Sequence, residues 1–113
     1  MTEISVGLKA GRKVAIVATG HTGFSERGSD VVCAGVSALV QALFYGFHEV
    51  LKQRGLRSAI DKKKAKMSLD WTECSASEGD VLAETIIGSL KEIARVYPDH
   101  VRIVEVHVNE LDF

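Results

Sequence analysis

Gly20-His21-Thr22-Gly23-Phe24-Ser25-Glu26-Arg27-Gly28-Ser29-Asp30-Val31-Val32-Cys33-Ala34-Gly35-Val36-Ser37 joins two segments of different period. Before it, Val14-Ala15-Ile16-Val17-Ala18 is apolar throughout. After it, Val32, Val36, Leu39, Val40, Leu43, Phe47, Val50 and Leu51 recur at spacings of three, four and seven. The first segment reads as a strand and the second as one buried face of a helix of about 24 residues. Between them Gly20, Gly23 and Gly28, with no apolar period, predict an irregular loop. Ser29 or Asp30 can cap the helix at its start, and Gly55 is placed to close it.

Outward from this junction the pattern stays short and alternating. Ile4, Val6 and Leu8 alternate with Ser5, Gly7 and Lys9 and predict a hairpin with residues 14–18 across Ala10-Gly11-Arg12. Arg57 to Asp61 and Ala65 to Trp71 are short strand candidates around Lys62-Lys63-Lys64, read as a solvated turn. Ser77 and Asp80 have the spacing of a capping box that opens a second helix, with Leu82, Ile86, Leu90, Ile93 and Tyr97 as its apolar stripe and Pro98 as its stop. Val101 to Val108 alternates as a last strand, Ile103 on one face and Val104, Val106 and Val108 on the other. The order β-β-α-β-β-α-β predicts an α+β two-layer sandwich: a small mixed sheet with two helices on one face, as a single domain over residues 1–113.

Composition narrows the function classes. Fourteen Lys and Arg against 15 Asp and Glu give a net charge of −1, which supplies no basic stripe for nucleic acid. The longest uncharged stretch, Val31 to His48, is amphipathic and interrupted by Cys33, Ser37, Gln41 and His48, so it reads as a core helix and not a membrane span. The first residues lack the pattern of a signal peptide. Cys33 and Cys74, 41 residues apart with no paired spacing, fit free thiols in a reducing cytoplasm. No pair among these cysteines and His21, His48, His100 and His107 has zinc-ligand spacing, so no metal site is expected.

The chemistry concentrates at residues 20–37. With Ser29 as N-cap Cys33 is the fourth helical residue, and with Asp30 it is the third, so the thiol lies near the positive end of the helix dipole, which favours thiolate. His21 stands twelve residues upstream at a strand end, and a glycine-bearing loop can return its ring to the helix start. Cysteine hydrolases use such a pair: the imidazole accepts the thiol proton and later protonates the departing amine. Free N–H groups at the helix start can receive the oxyanion of the tetrahedral intermediate. A buried, inert cysteine and a solvated histidine remain the alternative on spacing alone.

Gly20-His21, a glycine-containing loop, and Gly28-Ser29-Asp30-Val31-Val32-Cys33-Ala34-Gly35-Val36-Ser37-Ala38-Leu39 closely resemble the signature of the ribosomal-processing cysteine protease family, Prp. The resemblance implies Cys33 as nucleophile and His21 as catalytic base and acid. Asp30, three residues before the cysteine, matches an aspartate that caps the helix, holds the loop or assists His21. Ser37, one turn beyond Cys33, either lines the site or is a small residue that allows tight packing. The loop formed by Gly20, Thr22, Gly23, Phe24, Gly28 and Ser29 would order over the substrate, with Phe24 touching the peptide or tucked on the core. The implied activity is an endopeptidase that removes a short N-terminal extension from a large-subunit ribosomal protein. The family implies a homodimer, and it implies no metal or organic cofactor. The alternative is a non-catalytic, ribosome-associated binding module of the same fold, and a weaker one is a redox or metal-sensing thiol.

The sequence departs from the family pattern at Thr22, where alanine is common, and at Gly35, which replaces a second alanine. The tail from His100 to Phe113 is also longer and more strand-like than in many members. Elsewhere the expectations are plain ones. Leu43-Phe44-Tyr45-Gly46-Phe47 carries aromatics on more than one side of its helix, which suits a partner surface or a wrapped core equally. Trp71 is expected in the core, and Glu73, Glu78 and Asp80 as caps or solvated charges.

Overall fold

The alternating N-terminal segment and the apolar run after it form β1 (Thr2–Lys9) and β2 (Arg12–Thr19). The computed structural model describes residues 1–20, 29–75 and 77–113, with the side chains of all these except Ser29 and Asp30. Ala10 and Gly11 join the two strands with φ of 53° and 78°, the doubly left-handed turn whose twist matches antiparallel strands. The remaining elements are α1 (Ser29–Tyr45), β3 (Arg57–Asp61), β4 (Lys66–Asp70), α2 (Glu78–Val96) and β5 (Val101–His107). The strands stand in the order β3-β4-β2-β1-β5, antiparallel except for the β1–β5 pair. This is the expected α+β sandwich with a mixed sheet.

Both helices cover one face. Ile4 and Val6 from β1, Ile16 and Ala18 from β2, Leu69 from β4 and Val101 from β5 meet Val32, Val36, Val40 and Leu43 of α1 and Ala83, Ile86, Ile87 and Leu90 of α2. Phe47 and Trp71 complete the cluster, stacked with ring centroids 5.3 Å apart, and the Trp71 indole N–H donates to the Lys13 carbonyl at 3.0 Å. By length and composition Val31–Val50 could cross a membrane. Its Val32, Val36, Val40, Leu43 and Phe47 instead supply the core.

The opposite face is covered too, which explains why β2 is apolar at every position from 14 to 18: both Ala15 and Val17 are buried there. The cover is the chain end. A short 3₁₀ turn, Val108–Glu110, follows β5. Leu111 then lies so close over Gly7 that a Cβ on that glycine would sit 2.6 Å from Leu111 Cδ1. The buried Ser68 hydroxyl donates to the Phe113 carbonyl at 2.9 Å, and the Arg57 guanidinium lies 4.8 Å from the Phe113 ring centre.

Several boundaries differ from expectation. Ser29 and Asp30 are already helical, so Cys33 is the fifth residue of α1, one place later than the later of the two capping registers. The helix continues through a π-helical turn at Gly46–Val50 and is closed by Lys52 at φ 50°, not by Gly55. Gly55 lies beyond the end against Glu73, where a Cβ would meet the Glu73 carbonyl at 2.8 Å. No capping box forms at α2: Ser77 makes no side-chain cap bond, and Asp80 pairs with Arg12 of β2 at 2.8 Å instead. Tyr97 is not part of the buried stripe, because it takes the non-helical cap conformation before Pro98 and is 47% exposed. Ala65 sits in the turn at φ 49°, so β4 starts at Lys66, and Val108 lies in the 3₁₀ turn and not in β5.

Candidate active site

Strand register brings one set of strand ends together. Thr2 starts β1 opposite Val101, which starts β5; Thr19 ends β2 opposite Lys66, which starts β4; and Lys66 faces Asp61, the end of β3. The Gly20 N–H donates to the Ala65 carbonyl at 2.9 Å and holds the exit of β2 to the β3–β4 turn. A cleft of about 300 Å³ opens at this end of the sheet, walled by Thr2, Gly20, Cys33, Ser37, Ile60 and Met67.

Cys33 is half-buried in that wall. A helical side chain leans toward the N-terminus, so the sulfur at the fifth position overhangs the first turn, where backbone N–H groups lack intrahelical acceptors. Its sulfur is 3.1 Å from Thr2 Oγ1. Ser37 also stands in the wall, its hydroxyl accepting from Gln41 Nε2 at 2.9 Å and donating toward Met67 Sδ at 3.8 Å. Ser37, Ile60 and Met67 are shared with a second, larger hollow of about 740 Å³ that runs along α1 past Gln41 and Tyr45. Of the helix aromatics, Phe47 is core, Phe44 packs against it and Tyr45 is exposed beside this hollow.

His21, Thr22, Gly23, Phe24 and Gly28 lie outside the described residues, as do the side chains of Ser29 and Asp30. Among the described residues no histidine borders the cleft: His48 pairs with Glu49 at 3.0 Å, and His107 Nδ1 accepts from the Asn109 N–H at 3.1 Å. Among these residues no group of three or more His, Cys, Asp or Glu is arranged for a metal ion. Thr2 had escaped the sequence reading. Its signal was a lone hydroxyl at the head of an otherwise apolar row, Thr2, Ile4, Val6, Leu8.

The sequence model of the family described as Cysteine protease Prp matches residues 1–102. The chain belongs to the Prp family of cysteine proteases. A Bacillus subtilis protein named ribosomal processing cysteine protease Prp is 32% identical over 91 residues, 75% of this chain and 79% of that protein. The fold matches that of the Staphylococcus aureus ribosomal processing protease Prp solved with a substrate peptide, at a TM-score of 0.85 and 20% identity over 94% of this chain and all of that one. The same S. aureus protease solved with a covalently linked product peptide matches at a TM-score of 0.81 with 20% identity, over 94% of this chain and all of that one.

A Prp-family cysteine peptidase needs an accessible thiol, and the two cysteines differ sharply in setting. Cys74 is 4% exposed in the core, and burial first, then the Asp70 and Glu73 charges, push its thiol up against the opposing effect of Arg12. Cys33 borders the cleft.

Proposed function

We propose that the chain is an endopeptidase whose nucleophile is Cys33 and whose general base and acid is His21. Its substrate is an extended, apolar N-terminal segment of a large-subunit ribosomal protein. The observation that carries this reading is the Cys33 thiol at the head of α1, opening on a cleft that continues as an apolar hollow along the same helix. His21 follows Gly20, a residue of the cleft wall, directly in sequence. The B. subtilis relative's name supports ribosomal processing, and the S. aureus protease with a covalently linked product supports a covalent route.

In this mechanism the His21 imidazole takes the thiol proton, and the sulfur attacks the scissile carbonyl carbon. The carbonyl oxygen becomes an oxyanion received by N–H groups in the first turn of α1. His21 then returns the proton to the amine of the departing fragment, and the acyl group stays on Cys33 as a thioester. Water gives one proton to His21 as its oxygen attacks the thioester carbon, the tetrahedral adduct expels the sulfur as thiolate, and the peptide's new carboxylic acid leaves and loses its proton to solvent. Asp30 orients the helix start or His21, Ser37 lines the wall, and the loop that holds Thr22, Gly23, Phe24, Gly28 and Ser29 covers the peptide. Two further parts of the proposal come with the family: cytoplasmic action and pairing of two copies, the latter read by light scattering on the purified chain.

The test is cleavage of the source organism's own ribosomal protein, followed by mass spectrometry. Trimming by the wild-type chain that is lost in Cys33→Ala and His21→Ala is the expected result. Unchanged trimming in either variant overturns the assignment, and tight binding without turnover in every variant would mean a binding module.

A further inference from the structure

We infer that Thr2 is a positioning residue for the nucleophile: its hydroxyl fixes the Cys33 sulfur at the cleft wall and donates a hydrogen bond to it once the thiol proton has left. The inference rests on the reading of Cys33 as nucleophile and adds a residue that lies 31 positions away in sequence.

Three observations carry it. The helix-facing row of β1 is Thr2, Ile4, Val6 and Leu8, and Thr2 is the polar exception, 3% exposed where its neighbours Ile4 and Val6 are 1% and 0%. A buried hydroxyl without a partner is unfavourable, so a valine would serve this strand position better unless the hydroxyl were used. It is used: Oγ1 stands 3.1 Å from Cys33 Sγ. The backbone under it is held by β5, through the Thr2 N–H donated to the His100 carbonyl at 2.8 Å and through pairing with Val101. Branching at Cβ restricts χ1, so the hydroxyl is presented in a narrow range of directions.

The direction of the bond follows from the inventory of donors. A thiol and a hydroxyl can each give or accept, and with both protons present either atom can be the donor. After His21 has taken the thiol proton, the sulfur has only lone pairs, and the hydroxyl hydrogen turns to it. The same donor meets the sulfur again when it leaves the thioester, as the tetrahedral adduct of water collapses. No bond to Thr2 forms or breaks in either step. It acts through Cys33 and leaves peptide binding to the rest of the cleft.

The experiment compares Thr2→Val, Thr2→Ser and Cys33→Ala in the full chain. It measures kcat and KM on a peptide bearing the cleavage segment, and the rate at which iodoacetamide alkylates Cys33 without peptide. Valine keeps the shape and the strand preference of threonine. Thr2→Val is expected to lower kcat and the alkylation rate by about tenfold or more, the loss of one hydrogen bond to a charged group, with KM changed by less than about twofold. Thr2→Ser should restore both rates to within about threefold of wild type, since the hydroxyl is kept and only χ1 restriction is lost. Wild-type kcat and alkylation in Thr2→Val, with Cys33→Ala inactive, overturn this inference and leave the nucleophile standing. Equal losses in the valine and serine variants, a loss confined to KM, or faster alkylation in Thr2→Val also overturn it. Full cleavage by Cys33→Ala overturns the underlying reading instead.

Discussion

Two glycines on α2 should respond to the same substitution with opposite signs. Gly79 is the second residue of the helix, and a Cβ there would lie 2.7 Å from Phe47 Cε1 and 3.2 Å from Cζ. The Phe47 ring is fully buried and stacked on Trp71, itself tied to the Lys13 carbonyl, so it has no free direction in which to yield. Gly79→Ala is therefore expected to destabilise by ~1–3 kcal/mol, the usual range for overpacking a filled core. Gly88 is the eleventh residue of α2, and a Cβ there meets nothing within 4 Å. Gly88→Ala should stabilise by ~0.5–1 kcal/mol, because alanine restricts the unfolded chain and forms helix better. The two melting temperatures would then differ by ~6 °C or more for a chain of this size. Trp71, the sole tryptophan, reports urea unfolding by fluorescence, and the slope of each transition checks that the unfolded states are comparable. If both variants move the midpoint in the same direction, the close contact between the start of α2 and the end of the first helical segment is wrong.

Iodoacetamide at neutral pH should modify Cys33 and leave Cys74 untouched until the chain unfolds, as read by peptide mass spectrometry; early labelling of Cys74 would contradict its place in the core. Because the folded state raises the Cys74 thiol, its neutral form favours folding below the ordinary thiol range of ~8.5 and this contribution is lost as pH rises through the raised value. Glu105 behaves oppositely: the hydrogen bond from Lys91 lowers its carboxyl, so its contribution is present above the ordinary ~4.3 and disappears as pH falls through the lowered value. The pair is at the surface, so Glu105→Gln should cost ~0.5 kcal/mol or less at pH 7 and nothing in strong acid; stability curves that stay parallel across this range would refute it. Leu111→Ala should destabilise by ~1–2 kcal/mol, below the ~2–5 kcal/mol of a fully buried leucine since Leu111 is half-buried, while Cys33 alkylates at the wild-type rate. A slowed alkylation would show that the C-terminal cover and the cleft are coupled.

Periodicity carried most of the architecture. The period-2 row from Ile4 to Leu8 and the three-and-four spacing from Val32 to Phe47 are properties of single elements, and both survive in β1 and in the long first helix, whereas Val50, expected on the buried face, is exposed at the end of the π-helical turn and Leu51 caps it. What failed depended on contacts distant in sequence. Asp80 has capping-box spacing, but Arg12, 68 residues away, offers a full charge where a cap offers one N–H. Gly55 has the composition of a helix stop, but its lack of a side chain is used against Glu73. The run Val14–Ala18 carries the signal of a second cover: an antiparallel strand apolar at every position needs cover on both faces, and here that cover is the turn and tail from Val108 to Phe113.

The cleft follows the same division. Cys33, Gly20 and Ser37 belong to one local stretch, and their residue types were legible as chemistry before any fold was known. Thr2, Ile60 and Met67 reach the cleft only through strand pairing, with β1 set against β5 at Thr2 and Val101, and β2 against β4 at Ala18 and Met67. Side chains alternate along a strand, so a slip of one residue in β1 would turn Thr2 to the far face and bring Met1 or Glu3 toward the sulfur. That slip is opposed by Ile4 and Val6, which would leave the core with it, and by Gly7, whose missing side chain makes room for Leu111 on the other face. The hydrophobic core and the C-terminal cover therefore set the position of a hydroxyl 3.1 Å from the sulfur, and mutations that loosen that register should weaken the site without touching it.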